Sequence, residues 1–151
     1  MLTDLQIITR LVLTVLLSGL IGLERQLHRR TAGLRTHILV SLGSCLIMLT
    51  SLYVFDIYKG IANPDPARIA AGVITGIGFL GAGTIIRDNE GVRGLTTAAS
   101  LWVVAGIGLA IGCGFKKAAI YTTVIALIVL FLLRFAERLI FINNKLSADK
   151  T

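Results

Sequence analysis

Gly76, Gly78 and Gly81 stand in a G-x-G-x-x-G spacing, which in a strand–turn–helix setting lets a backbone approach a dinucleotide pyrophosphate. That chemistry needs a strand before the glycines, a crossover after them and an acid about 20 residues on. The glycines lie instead in one apolar run, Gly72 to Gly83, with none of these around it. Gly78 to Gly83 followed by Thr84 resembles a phosphate-binding loop, but no lysine precedes the threonine. Ser100 reads as a residue of an apolar helix beside no base, and no run holds a catalytic carboxylate pair or a His-Glu motif. His28 and His37 flank a basic segment without a Cys or acid at ligand spacing, and are read as polar interface residues. Cys45 and Cys113 fall at different depths of apolar runs, about 15 Å apart at 1.5 Å per residue, too far for a disulfide. They lack further ligands for zinc and are expected to pack as small apolar residues. Asp56 and Asp65 could offer oxygens to a divalent cation, yet Asp65 before Pro66 is better placed as a helix cap. No catalytic, cofactor-binding or metal-ligating residue is expected, and the chain is read as non-enzymatic.

The elements that carry these residues are membrane spans. Of 151 residues, 55% are hydrophobic and 15% charged, against about 25% charged in soluble domains. Apolar runs fall at about 5–23, 38–55, 69–86, 95–115 and 118–133, each near spanning length. The expected fold is an all-α polytopic membrane protein, a bundle of about five transmembrane helices. Residues 1–142 form the transmembrane domain and 143–151 a cytoplasmic tail, with the fifth helix extending into the headgroup region before fraying. Arg87 to Arg93 and Gly114 to Lys117 read as tight turns, making their flanking helices antiparallel neighbours. Asp4 precedes the first basic residue, Arg10, and no small-x-small site follows, so the first span is expected to be retained. One side collects Arg25, Arg29, Arg30, Arg35, Arg87, Arg93, Arg134 and Arg138 with Lys145 and Lys150, whereas the other holds Lys59, Arg68, Lys116 and Lys117. The positive-inside rule then places the N-terminus outside and the C-terminus inside. It also explains the +7 net charge without nucleic acid, for which no motif is present.

Helices in lipid associate where small residues let backbones approach. Gly72, Gly76, Gly78, Gly81 and Gly83 in the third span, with Gly106, Gly108 and Gly112 in the fourth, are therefore expected to form the close-packed heart of the bundle. A weak internal repeat relates Gly19-Leu20-Ile21-Gly22 to Gly78-Phe79-Leu80-Gly81, and Gly33-Leu34-Arg35-Thr36 to Gly94-Leu95-Thr96-Thr97. Both pairs sit at the inner ends, so the repeat would be parallel, about an axis along the membrane normal. A second candidate site is the inner face. Glu24 borders an apolar helix and is expected to pair there, with Arg25, Arg35 or Arg93 as partner, because a charge near hydrocarbon is costly alone. Thr36 and Thr96-Thr97 are expected to start spans two and four, turning two helix N-termini toward the arginines.

These motifs carry a resemblance. Gly22-Leu23-Glu24-Arg25, Ala32-Gly33-Leu34-Arg35-Thr36-His37, Gly76 to Ile85 and Val92 to Trp102 resemble the MgtC/SapB family of bacterial membrane proteins over roughly residues 8–135. The resemblance implies a multi-pass bacterial inner-membrane protein linked to growth under magnesium limitation and, in some members, to virulence. It implies a regulatory role on other membrane machinery, the ATP synthase included, more than transport, and a short form lacking the soluble C-terminal domain of many members. Expected partners are membrane lipids, anionic headgroups at the basic inner face, a membrane protein and a second copy of the chain. A magnesium or other ion transporter is the alternative.

Overall fold

The computed structural model describes residues 2–61, 64–89 and 91–148, with side chains described through Leu132 and at Arg134. Five helices and one short ribbon follow in order: α1 (Asp4–Leu27), α2 (Leu34–Tyr58), α3 (Pro66–Ala82), β1 (Ile86–Asp88), β2 (Gly91–Arg93), α4 (Leu95–Cys113) and α5 (Lys116–Ala148). Asn63 of the expected proline-broken loop and residues 149–151 of the expected tail lie outside the described residues. Up to Ala148 the chain past residue 142 continues α5 instead of fraying.

Local sequence explains most of the helix starts. Thr3 and Gln6 form a reciprocal capping box ahead of α1. Asp65 accepts from the Ala67 amide at 2.8 Å with Pro66 in the first turn of α3, as the sequence led one to expect. The threonine caps are a correction. α2 and α4 start at Gly33 and Gly94, neither with a side-chain cap. Thr36 is the third residue of α2, and Thr96 and Thr97 already lie in the first turn of α4. Gly94 is required there because its φ is +93° and an added Cβ would run into the Thr84 carbonyl oxygen. The amide of Leu34 is satisfied by the Gln26 side chain at 3.1 Å.

The turn expected between spans three and four is an antiparallel ribbon, pairing Ile86 with Arg93, Arg87 with Val92 and Asp88 with Gly91. It keeps α3 and α4 antiparallel, as a tight turn would.

The bundle's centre is α2 against α4, not α3 against α4. Gly108 sits on the Ser41 carbonyl of α2, and a Cβ at Gly112 would lie 2.6 Å from the Met48 Cβ and 2.9 Å from the Cys45 carbonyl oxygen. Gly72, Gly76, Gly78 and Gly106 have nothing within 4 Å of an added Cβ and face outward. Gly81 touches Ala98, its Cβ position 3.6 Å from the alanine's, and Gly83 meets only its own preceding turn. The expected glycine heart is thus corrected: small residues do set the closest approach, but the pair they join is α2 and α4. Around it pack Ile21, Cys45, Leu49, Val104, Ile107 and Ile111.

Much of the buried interior is hydroxyl-bearing. Thr14, Ser18, Ser44 and Thr123 are buried, and each donates to the carbonyl four residues back at 2.7–2.8 Å. Such a group needs no partner from a neighbouring helix and allows close packing without an unsatisfied donor. At the end opposite the basic loops, Arg10 Nη1 donates to the Gly112 carbonyl at 2.6 Å, a cation on the negative end of α4. Outward, Leu16, Phe79 and Leu132 are 60%, 83% and 62% exposed, and α1, α2 and α4 are each long and apolar enough to cross a membrane.

The internal repeat has a structural counterpart. Gly22 closes the first motif, and a Cβ there would lie 2.9 Å from the His37 Cβ. Gly81 closes the second and touches Ala98. His37 and Ala98 each stand four residues after the glycine that starts their helix. The hairpin α1–α2 therefore closes as α3–α4 does, with α1 also on α4, α3 also on α2, and α2 on α4 between them. α5 lies on α1 and α4.

A buried ion pair and a histidine bridge at the basic end

The C-terminus of α1 and the N-termini of α2 and α4 meet at the basic end. Glu24 and Arg25, adjacent on α1, are both buried, and Arg25 Nε meets Glu24 Oε2 at 2.5 Å. Of the partners expected for Glu24, the structure selects Arg25, and His28 adds a second. Its Nδ1 lies 2.7 Å from the Glu24 carbonyl oxygen and 2.8 Å from Glu24 Oε1. The Nδ1 hydrogen bond goes to the carbonyl in helical register, and Glu24 Oε1 lies beside it without a hydrogen bond of its own. His28 also meets Phe131 of α5 edge-on, ring centres 6.5 Å apart, which ties the end of α1 to α5. The pair is dear to break, since removing one member of a buried ion pair leaves the other charge uncompensated.

His37 sits one layer deeper, fully buried on α2. Its Nδ1 is 2.8 Å from the Gly33 carbonyl and its Nε2 is 3.0 Å from Ser100 Oγ on α4. A carbonyl only accepts, so Nδ1 carries the proton and, in the neutral ring, Nε2 accepts from the serine. Ser100 Oγ also lies 2.8 Å from the Thr97 carbonyl. The single Ser100 hydroxyl proton is thus placed between the His37 ring nitrogen and the Thr97 carbonyl. The reading of Ser100 as beside no base is corrected here. The base comes from another helix, 63 residues away, and no local spacing could reveal it.

The remaining inner-face candidates separate by depth. Thr97 is buried and accepts from Thr31 Oγ1 at 3.3 Å, joining the first loop to α4. Arg35, Thr36, Arg93 and Thr96 are exposed around the buried group, and Arg93 Nε lies 3.6 Å from Asp88 across the ribbon. The candidate site is thus a buried core of Glu24, Arg25, His37 and Ser100 under an exposed basic rim. Cys45 and Cys113 are free thiols, and among the described residues no three His, Cys, Asp or Glu side chains converge as metal ligands.

Apolar helices packed through glycine and hydroxyl faces, with one charged end, define an all-α membrane protein. The MgtC family model matches residues 11–139, and the chain belongs to that family, a multi-pass protein of the bacterial inner membrane. It is 47% identical over 127 residues to the Escherichia coli (strain K12) protein named "Putative magnesium transporter YhiD", covering 83% of this chain and 59% of that one. It is 47% identical over 132 residues to "Protein MgtC" of Salmonella typhimurium (strain LT2), covering 87% and 54%. A Haemophilus influenzae protein is 40% identical over 126 residues, covering 81% and 53%. The chain thus spans a little over half the length of the curated relatives it matches. No solved structure matches it.

Proposed function

We infer that the chain is a five-span protein, N-terminus outside and C-terminus inside, that regulates other membrane components by contact and carries out no catalysis. α3, 17 residues and about 26 Å long at 1.5 Å per residue, nearly spans a hydrocarbon core of ~30 Å, and the apolar first half of α5 supplies the fifth crossing. The concentration of arginine at the end shared by the α1, α2, α3 and α4 junctions supports the orientation.

One observation carries the regulatory reading. The chain's tight packing glycines are spent inside the bundle, Gly22 of α1 and Gly108 and Gly112 of α4 all against α2, while Gly43, Gly72 and Gly76 present bare backbone outward along α2 and α3. Backbone laid open on a membrane-facing surface is what helix association in lipid uses. The basic rim of Arg35 and Arg93 adds an inner face suited to anionic headgroups or an acidic partner segment. Magnesium limitation enters through the relatives, as the condition under which such regulation would act.

The second reading, transport of magnesium, is favoured by the name of the Escherichia coli relative. A magnesium path would use carboxylates and retained waters. Glu24, a buried acid at the bundle's inner end, is already paired through Oε2 with Arg25. Reconstitution into proteoliposomes separates the two. The regulatory reading expects no magnesium flux above empty liposomes, with membrane crosslinking recovering a protein partner. Selective uptake abolished by Glu24→Gln or Asp65→Asn would overturn it.

A further inference from the structure

The repeat leaves one groove filled and its twin empty. α5 lies against α1 and α4, and near the basic end a crevice of about 310 Å³ between them is lined by Ile21, Ser100, Val103, Ala126 and Leu130. On the other half, a groove of about 410 Å³ between α2 and α3 is lined by Leu39, Gly43, Gly72, Gly76 and Leu80. The two linings correspond through the repeat at two positions. Ser100 and Leu39 each stand six residues after the glycine that starts their helix. Ile21 and Leu80 each immediately precede the glycine that closes their hairpin motif. The α2–α3 groove is thus the repeat's copy of the seat of α5, and among the described residues no helix occupies it.

We propose that this groove receives the outward face of α5 from a second copy of the chain, so that copies associate side by side in the membrane. Three observations fix the occupant. The first is direction. α2 and α4 both start at the basic end, and α5 runs antiparallel to α4. A second copy inserted the same way round therefore presents its α5 antiparallel to α2, as the seat requires, without inversion.

The second is shape. α5 keeps a lipid-side face, with Tyr121, Val124, Ile128 and Leu132 between 48% and 63% exposed. Gly43, Gly72 and Gly76 leave the groove deep enough to take large side chains. Apolar knobs in a small-residue groove gain dispersion contacts that lipid tails do not match.

The third is charge. α5 begins with Lys116-Lys117, and Asp65, exposed at the start of α3, stands at the outer end of the groove. The lysines of one copy thereby arrive near Asp65 of the next, in the headgroup layer. The contact is heterologous, with different patches on the two copies, so it builds rings or rows in the membrane plane.

The test is crosslinking at matched depth in native membranes. Ile21 and Leu130 line one crevice and share a depth, so Gly76, one turn outward of Leu80, faces the level of Ala126 on α5. Val124 and Ile128 bracket that level on the exposed face. In a Cys113→Ser background, with Cys45 fully buried, Gly76→Cys paired with Val124→Cys or Ile128→Cys is expected to give a disulfide-linked dimer on oxidation. Val12→Cys, on the lipid face of α1, paired with the same α5 positions is expected to give none. Independently, Gly43→Trp fills the groove from an open position and is expected to weaken self-association about tenfold by dilution-dependent energy transfer in liposomes, with unchanged melting.

Equal crosslinking of the α1 control, or unchanged association for Gly43→Trp, overturns the proposal. Capture at position 76 of a different protein in place of a second copy also overturns it. The two readings use the same Gly43, Gly72 and Gly76 surface, but they fail on different results: the regulatory reading on magnesium flux and on the absence of a heterologous partner, this one on the absence of a second copy at position 76.

Discussion

His37 of α2 and Ser100 of α4 are joined side chain to side chain, imidazole Nε2 to hydroxyl Oγ at 3.0 Å, between the two helices at the centre of the bundle. The bond is asymmetric in what its loss leaves behind. Without His37, Ser100 falls back on the Thr97 carbonyl at 2.8 Å, and Gly33 keeps the His37 backbone amide as its helical partner. Without Ser100, Nε2 is buried with nothing to bind. Ser100→Ala is therefore expected to cost about 1–2 kcal/mol despite removing one atom. In a double-mutant cycle with His37→Leu, the pair should show a coupling of about 1 kcal/mol, near the upper range for membrane helices. Thermal unfolding of the four proteins in one detergent measures it, and additive losses would show that the bond contributes nothing.

Glu24 and Arg25 make a sharper prediction because neither charge reaches solvent. Glu24→Ala leaves the guanidinium buried without its carboxylate, and is expected to cost about 3–5 kcal/mol. Adding Arg25→Met removes the stranded charge and should restore a large part of that loss. The comparison of single and double variants by melting temperature decides between an ion pair and a mere packing contact. A double variant as unstable as the single would point to packing alone.

How much of this was legible in the sequence follows from the range of each interaction. The spans, the Asp65–Pro66 start of α3 and the burial of Glu24 beside Arg25 are encoded within a few neighbouring residues, and periodicity or adjacency reveals them. The His37–Ser100 bridge joins residues from different helices, and nothing near either one marks the other. Glycine spacing is ambiguous for a related reason. Small-xxx-small spacing says that a helix has a smooth face, but not which neighbour meets it. Gly108 and Gly76 carry the same local signal, yet only the three-dimensional arrangement assigns one to α2 and leaves the other open. Capping propensity alone points to Thr36 and Thr97, but their helices start earlier, α2 at Gly33 and α4 at Gly94, where a φ of +93° is required.

That difference between glycines is itself testable. Gly108→Ala drives a methyl group into the Ser41 carbonyl of α2, where backbone cannot yield cheaply. Gly76→Ala adds the same methyl into open space. The first is expected to cost about 1–3 kcal/mol and the second to leave the melting temperature within error. Both losses being equal would return α3 to the centre of the bundle.

Gly94 and Gly91 offer the same contrast at the ribbon, with backbone strain held in common. Both have positive φ, +93° and +126°, so any side chain at either position carries a conformational cost of about 1 kcal/mol or more. Gly91 lies in open space, whereas Gly94 is pressed against the Thr84 carbonyl at the point where the ribbon hands over to α4. Gly94→Ala must therefore displace the end of α3 or the first turn of α4, and that turn carries Thr97 and, one turn on, Ser100. The expected result is a loss for Gly94→Ala at least twofold that for Gly91→Ala, about 2–4 kcal/mol against about 1. It should come with loss of the His37–Ser100 coupling when the cycle is repeated in the Gly94→Ala background. Equal losses for the two alanine variants would mean that strain alone, and not the seating of α4 on the ribbon, sets the geometry of the basic end.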